Sequence, residues 1–519
     1  MEMKVIYKNA RAAVVEIADG GIFNTNKKYE LIVNGKHFGE TDRVITNLNG
    51  LKPDTQYELQ VQSEDGDHAV IYFATKKEFV TLNVKDFGAK GDGEQDDTHF
   101  IQAAIMACPK DGRVLIPAGT YRVTAIFLKD DLNLEVAEGA TILALTDRTK
   151  FAILPGMIQT WDEQGEYNLG TWEGNPLAMY AGIIVGINVK NATVYGKGIV
   201  DGNASWENWW KNAKTMGQPF RPRMIFLNHC ENVVIQGITV QNSPSWNIHP
   251  YFSDHLRFLG IQVLNPKVSP NTDGLDPESC KDVEIAGVYF SVGDDCIAVK
   301  AGKIYMGAKY RRSCEDVVIR QCCMRDGHGS VTIGSEMAGG VKNLTVKDCR
   351  FLHTDRGLRI KTRRGRGEAA VVEGILFENI CMDNVMTPFV VNSFYFCDPD
   401  GHTEYVRTQE ALPVDERTPW VKSLAFRNIE AKDCHVAAAW LYGLPEQPIA
   451  RVELENVHVT YAKNPQAGQA AMMEDCPKEM TRMGICAANI DELVLRNVTV
   501  EGQEGEELSL LNVKKVERI

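Results

Sequence analysis

Three aspartates stand where acid–base chemistry could be done. Asp273, in the run Asn271-Thr272-Asp273-Gly274, is followed 21 residues later by Asp294 in Gly293-Asp294-Asp295-Cys296. Carboxylates brought close together repel, so at least one of a cluster keeps its proton toward neutrality while its neighbours stay ionised. A protonated acid beside ionised bases is what hydrolysis of a glycosidic bond needs. Adjacent residues on a regular strand point to opposite faces, so Asp294 and Asp295 share a site only if the backbone bends, which Gly293 permits. Two further motifs follow. Asp326-Gly327-His328-Gly329-Ser330 sets a histidine between glycines, ahead of the apolar run Val331-Thr332-Ile333, as an exposed and closely approached side chain. From Arg356 to Arg366 there are six cations in eleven residues. In Arg359-Ile360-Lys361 two charges flank an apolar residue and face outward together on a strand. Arg grips a carboxylate bidentately and Lys adds a point charge, so this run suits an anionic ligand, here an acidic sugar chain.

The elements that must position these residues follow a recurring phrase, a polar residue and then alternating apolar and polar ones. It begins at Asn232, Asp254, Asp282, Asp316 and Asn343, at intervals of 22, 28, 34 and 27 residues, and recurs at Ser423 and Asp491. A minimum near 22 with variable insertions predicts a parallel β-helix, each coil being one set of short strands plus loops of free length. A β-propeller would repeat at about 40–50 residues. In a β-helix, residues one coil apart stack at about 4.8 Å, so Asp273 falls beside the Asp294-Asp295 pair and a groove runs along the sheet. Residues 1–75 have a different rhythm, short alternating strands such as Tyr29–Val33 before Asn34-Gly35. Leu51-Lys52-Pro53 followed by Tyr57 and an alternating strand resembles the tyrosine-corner region of a fibronectin type III sandwich. The expected organisation is all-β: a fibronectin type III-like β-sandwich over 1–77, joined at Thr75-Lys76-Lys77-Glu78 to a β-helix over 78–519.

Composition excludes several classes. The chain has 519 residues, 44% hydrophobic and 24% charged, with a net charge of −13, which disfavours disorder and repels nucleic acid. No uncharged apolar run of about 18 residues is present, so no membrane helix is expected. The N-terminus has no basic region followed by an apolar stretch, and thirteen cysteines, two of them the adjacent Cys322-Cys323, suit free thiols. A cytoplasmic location is the expectation, or secretion if a signal has been removed. Cys314, Cys322, Cys349 and Cys381 are expected as small buried side chains.

The four motifs Asn271-Thr272-Asp273, Gly293-Asp294-Asp295, Gly327-His328-Gly329 and Arg359-Ile360-Lys361, in that order, resemble the polygalacturonases of glycoside hydrolase family 28. The resemblance extends over roughly 80–500 and includes Asp86–Gly93, Gly198–Gly202, Trp206, Trp209 and Trp210. It implies a right-handed parallel β-helix that hydrolyses α-1,4-galacturonosidic bonds with inversion, without a metal or organic cofactor. It implies Asp294 as the acid that protonates the leaving oxygen, with Asp273 and Asp295 holding and activating water. His328 would tune the acid; Arg359 and Lys361 would bind substrate carboxylates, with Asn271 beside them. The Arg359–Gly367 stretch and Arg221-Pro222-Arg223 look like exo-acting members, and insertions at about 145–180 and 386–420 could wall off one end of the groove. Exo-hydrolysis from the non-reducing end is therefore expected, with Arg223, His249 and Arg364 as subsite candidates. The alternatives are an endo-polygalacturonase, a relative acting on rhamnogalacturonan or xylogalacturonan, a Ca²⁺-dependent pectate lyase, and a non-catalytic carbohydrate-binding β-helix.

Overall fold

The computed structural model describes residues 1–519. The chain opens with seven antiparallel strands in two sheets. Glu2–Lys8, Ala12–Ala18 and Ile45–Asn49 form one; Lys36–Arg43, Asn24–Val33, Gln56–Ser63 and His68–Ala74 form the other. Alternation places Val15, Ile17, Leu31, Leu48, Leu59 and Val61 between them. The Tyr57 hydroxyl accepts a hydrogen bond from the Lys52 amide at 2.7 Å, the contact that defines a tyrosine corner.

After Ala74 the next strand, Thr81–Asn83, already belongs to a parallel β-helix that continues to Leu508–Arg518. One inward column runs Val233, Leu256, Val283, Val317, Leu344, Ile375, Leu424, Val452 and Leu493, each paired with the next. Such stacking buries a continuous apolar core, and helix Thr98–Ala107 packs Ile101 and Ile105 into its N-terminal end. The polar residue that opens each phrase has a structural task. Asn232, His255, Asp282, Asp316 and Asn343 occupy one corner with φ of 53–56°, a left-handed conformation that Asn and Asp tolerate well. Asn343 also donates to Asp316 Oδ1 at 3.0 Å, tying one coil to the next. The equivalent residue of the second phrase is thus His255 rather than Asp254, so that the first two intervals become 23 and 27, and that of the last phrase is Glu492 rather than Asp491.

The sandwich docks on the side of the helix, where Val14, Val44 and Ile45 meet Val234, Leu259 and Ala286. Glycines make the close approach possible: a Cβ at Gly260 would lie 2.3 Å from the Asn47 amide, and one at Gly287 equally close to Ile45. Glu16 pairs with Arg320 at 2.9 Å across the seam. All thirteen cysteines are free; Cys314, Cys322 and Cys349 are buried as expected, but Cys381 is exposed, because its strand turns it outward. No helix is long and apolar enough to cross a membrane.

Candidate active site

Parallel strands Ile248–Tyr251, Ile297–Val299, Val331–Ile333, Arg356–Lys361, Thr387–Asn392 and Ala437–Tyr442 make the sheet that carries the site. Asp273 and Asp294-Asp295 lie in the turns just before it, and their carboxylates, with one oxygen from each, come within 4.8 Å of one another. The bend at Gly293 is present, and its cause is close packing. Gly293 keeps a negative φ, but a Cβ there would stand 2.3 Å from the Ser269 carbonyl oxygen. The glycines flanking His328 act likewise. A Cβ at Gly327 would meet the Asp294 carbonyl at 2.7 Å, and one at Gly329 would meet Thr332 Oγ1 at 2.2 Å. The histidine turn can therefore lie directly on the aspartate pair.

Each carboxylate has its own partners. Asp295, 1% exposed, accepts from Arg359 Nη1 at 3.1 Å and from Lys361 Nζ at 2.9 Å, one oxygen to each cation. Asp294, 24% exposed, has its Oδ1 3.4 Å from Nδ1 of His328, which is half-exposed. The His328 amide donates to the Asp294 carbonyl at 3.0 Å. Asp273 is buried, with Lys300 Nζ 3.6 Å from its Oδ2.

These surroundings sort the three groups. Burial works against charge on Asp295, but Lys361 and Arg359 overcome it and hold the carboxyl well below the usual carboxylate range. Burial is the largest effect on Asp294 and raises it, yet the hydrogen bond to His328 together with the charges of His328 and Lys361 leaves Asp294 below its ordinary value, while the same bond raises His328. Asp273 is pushed well above its ordinary value by burial, then by Asp276 and Asp294. Of the three carboxyls, Asp273 is thus the one whose hold on a proton is strengthened, while Asp294 and His328 favour their charged forms together. A hard cation would find three oxygens here, but Asp295 is already neutralised by two cations.

The remaining candidates fall into two groups. Asn271 is half-buried at φ 55° with its Oδ1 accepting from Arg221 at 2.7 Å, on the margin of the groove. Arg223, His249 and Arg364, expected as subsite residues, are buried and already engaged. Arg223 is clamped between the rings of Trp172 and Trp246, 4.7 and 4.3 Å from their centroids. His249 is bonded to Glu278 at 2.9 Å, both fully buried. Arg364 pairs with Glu446 through two nitrogens at 2.6 and 2.9 Å and donates to the carbonyls of Thr408 and Glu410. These three hold walls in place. Sequence spacing marks a cation but not whether an insertion covers it.

Walls stand on both sides of the carboxylates. Toward the N-terminal coils, Trp172 of insertion 146–181 stacks on Phe220 at 4.7 Å and near Trp246 at 6.2 Å, covering the sheet at His249. Toward the C-terminal coils, the segment 463–482, which the sequence did not single out, packs Ala470, Met473 and Cys476 over Val390 and Trp440. The insertion around 386–420 starts only after Asn392, since Thr387–Asn392 is a groove strand. Its Asp398 gathers Lys303, Arg363 and Arg366 at 2.9, 3.0 and 2.6 Å, so the latter half of the basic run braces this loop. Sequence reasoning also missed Lys300, Asp276 and Glu336. The alternation Ile297-Ala298-Val299-Lys300 could have found Lys300, since it places that side chain in one row with Lys361.

Residues 133–476 match Glycosyl hydrolases family 28, and residues 81–135 match Rhamnogalacturonase A/epimerase, pectate lyase-like. A probable polygalacturonase from Vitis vinifera is 28% identical over 402 residues, covering 76% of this chain and 77% of the relative. An endo-polygalacturonase from Pectobacterium parmentieri is 31% identical over 317 residues, 57% of this chain and 72% of its own. Among solved structures, the family 28 exopolygalacturonase of Yersinia enterocolitica superposes with a TM-score of 0.72 at 18% identity, covering 99% of this chain and 98% of that one. The exopolygalacturonase of Thermotoga maritima gives 0.63 at 24% identity, with 82% and 93% covered. At these identities the structural likeness is one of fold.

Proposed function

The chain belongs to family 28 of the glycosyl hydrolases, and from that premise we propose that it cleaves α-1,4-galacturonosidic bonds, releasing single residues from the non-reducing end of galacturonate chains. The observation that carries this reading is the Asp295 carboxylate locked by Arg359 and Lys361 beside the Asp294–His328 pair, at the floor of a groove walled on both sides. A walled groove accommodates a chain end more readily than an interior bond. Lys361, partly exposed, keeps hydrogens free for a uronate carboxylate while it holds Asp295.

In the proposed reaction Asp294 gives its proton to the leaving oxygen. The proton reaches Asp294 from Asp273, whose carboxyl lies within 4.8 Å, leaving Asp273 and Asp295 ionised to orient and deprotonate the attacking water. His328, charged beside Asp294, keeps the acid in place and favours its return to the ionised form after transfer. Both Asp295 oxygens are occupied by cations and Asp273 starts protonated, so neither is a good covalent nucleophile. Direct attack by water, with inversion, follows.

We read residues 1–77 as a fibronectin type III-like module serving as a buttress to the helix, supported by the tyrosine corner and the three-plus-four strand division. Thirteen free cysteines support a reducing compartment.

The test is a time course on trigalacturonate and polygalacturonate with chelator present, products resolved by length and Asp294→Asn as the blank. Monogalacturonate from the start, with slow loss of viscosity, is expected. Mixed oligomers with rapid viscosity loss would overturn exo action. An unsaturated, ultraviolet-absorbing product would overturn hydrolysis itself.

A further inference from the structure

Beneath the reacting carboxylates lies a lysine outside all four motifs. Lys300 is buried, its Nζ 3.6 Å from Asp273 Oδ2, 3.9 Å from Asp276 Oδ1 and 3.8 Å from Glu336 Oε2. The ammonium also lies 3.4 Å from the centroid of the Trp246 ring. It is shared among three carboxylates and hydrogen-bonded tightly to none. Asp276 is more unusual. It is fully buried, three residues after Asp273, and neither of its side-chain oxygens has a hydrogen-bond partner. A buried carboxylate without a donor is expensive and persists where its charge or its proton has a use.

The surroundings show what that use is. Asp276 faces Asp273 and Lys300, with Arg223 on the side of the preceding coils and Asp295 and Glu336 on the side of the following ones. His249, held neutral by burial and by the cations Arg223 and Lys300, and Glu278, raised to about 8 by burial, complete the set. Four carboxyls, Asp273, Asp276, Glu278 and Glu336, surround the buried cations Arg223 and Lys300, with Arg221 acting on Asp273 and Lys303 and Lys361 on Glu336 from the edges. Such a set retains protons, and every charge added or removed changes how firmly its members hold them.

We propose that Lys300 and Asp276 are positioning residues that, without touching substrate, set how tightly the Asp273–Asp294–Asp295 cluster holds the proton it must relocate during catalysis. Lys300 draws Asp273 toward its ionised, water-activating form; Asp276 opposes it as it ionises in turn, toward pH 8. The two are a balanced pair, and the pH range of activity is the quantity they balance. This inference rests on the hydrolytic reading of the site.

The experiment measures kcat/KM on trigalacturonate across pH for the full chain and for Asp276→Asn, Lys300→Met and Lys300→Arg. Asp276, raised to about 8 by burial, carries its negative charge only toward that pH, so Asp276→Asn keeps the shape and moves the alkaline limb of the profile to lower pH by about one unit. Lys300→Met removes a positive charge and moves it to higher pH by a similar amount, while Lys300→Arg restores the wild-type position. A merely structural pair would lower kcat and leave the profile where it is. Superimposable profiles, or shifts in the same direction, would overturn the proposal; should Lys300→Met not fold, Asp276→Asn alone decides. If the wild type is inactive on every galacturonate the hydrolytic reading fails. The same variants, labelled with ¹³C-aspartate and titrated by NMR, then show whether the cluster's titration moves in opposite directions.

Discussion

Replacing Lys361 by Met tests the site at its best-defined contact. Lys361 Nζ lies 2.9 Å from Asp295 Oδ2, and both side chains are largely shielded from water. At an effective dielectric of about 20, two unit charges at that distance attract by roughly 6 kcal/mol. Desolvation of both partners offsets much of that, and loss of one member of a buried pair typically costs about 3–5 kcal/mol. Arg359 remains on the other oxygen of Asp295, which puts the expected loss of folding stability at the lower end, about 3 kcal/mol. In activity, a loosened Asp295 should cost roughly a hundredfold in kcat/KM, the low end of what a positioned acid–base group contributes. The sign with pH is also fixed. Asp295 is held ionised by the two cations, so removing one raises its proton affinity and the acid limb of the profile moves to higher pH. The assay is kcat/KM on trigalacturonate against pH for the wild type, Lys361→Met and Lys361→Arg, the last keeping the charge and most of the activity. A Lys361→Met loss below about threefold with an unmoved acid limb would refute the assignment of Asp295 as an ionised partner of the water.

Three further outcomes follow from the same geometry. The first-formed sugar, followed by ¹H NMR before mutarotation, should be the β-anomer; an initial α-anomer would mean that one of the aspartates attacks carbon itself. That test is a demanding one, because oxygens within 4.8 Å are closer than the usual acid–base spacing of inverting glycosidases, about 6.5–9.5 Å. Trp172→Ala uncovers Arg223 and Trp246 and should bring digalacturonate and longer fragments into the early products; an unchanged monosaccharide pattern would place the exo limit in another wall. Burial raises Glu278 from 4.5 to about 8, so its contribution to stability is complete below its unfolded value and is lost as pH rises toward 8. Calorimetry should show Glu278→Gln with a flatter decline of Tm over that interval than the wild type, and parallel curves would argue against a protonated Glu278.

The fold was legible because a β-helix writes its period into the chain. The column from Val233 to Leu493 is an alternating pattern repeated at every coil, and in the coils opening at Asn232, His255, Asp282, Asp316 and Asn343 the turn needs a residue that tolerates positive φ. Two starts, Asp254 for His255 and Asp491 for Glu492, fall one residue early, each where two polar residues adjoin and the pattern alone does not choose between them. The centre of the site was legible for the same reason: one-coil spacing brings Asp273 to Asp294-Asp295, and alternation turns Arg359 and Lys361 to the same face. Coverage was not legible. Arg223, His249 and Arg364 have the chemistry of substrate ligands, yet loops distant in sequence bury all three, and only three-dimensional packing says where such a loop lies. Proton placement was also beyond reach, because Asp273 and Asp294 differ less in type than in exposure and in the partner each meets.

That last difference ties the walls to the chemistry. The insertion bearing Trp172 shortens the groove and also lowers the effective dielectric around Arg223, His249, Asp276 and Glu278 on the floor behind the site. In that medium each charge acts strongly on Asp273, whereas Asp294, open to the groove beside His328, remains screened by water until a substrate replaces it. Binding of a sugar would remove that screening and leave Asp294 in surroundings more like those of Asp273. The charged form of Asp294 is then less favoured, and the proton has reason to cross to it. Restricting the groove to a chain end and readying Asp294 as the acid would thus be two consequences of the same covered floor.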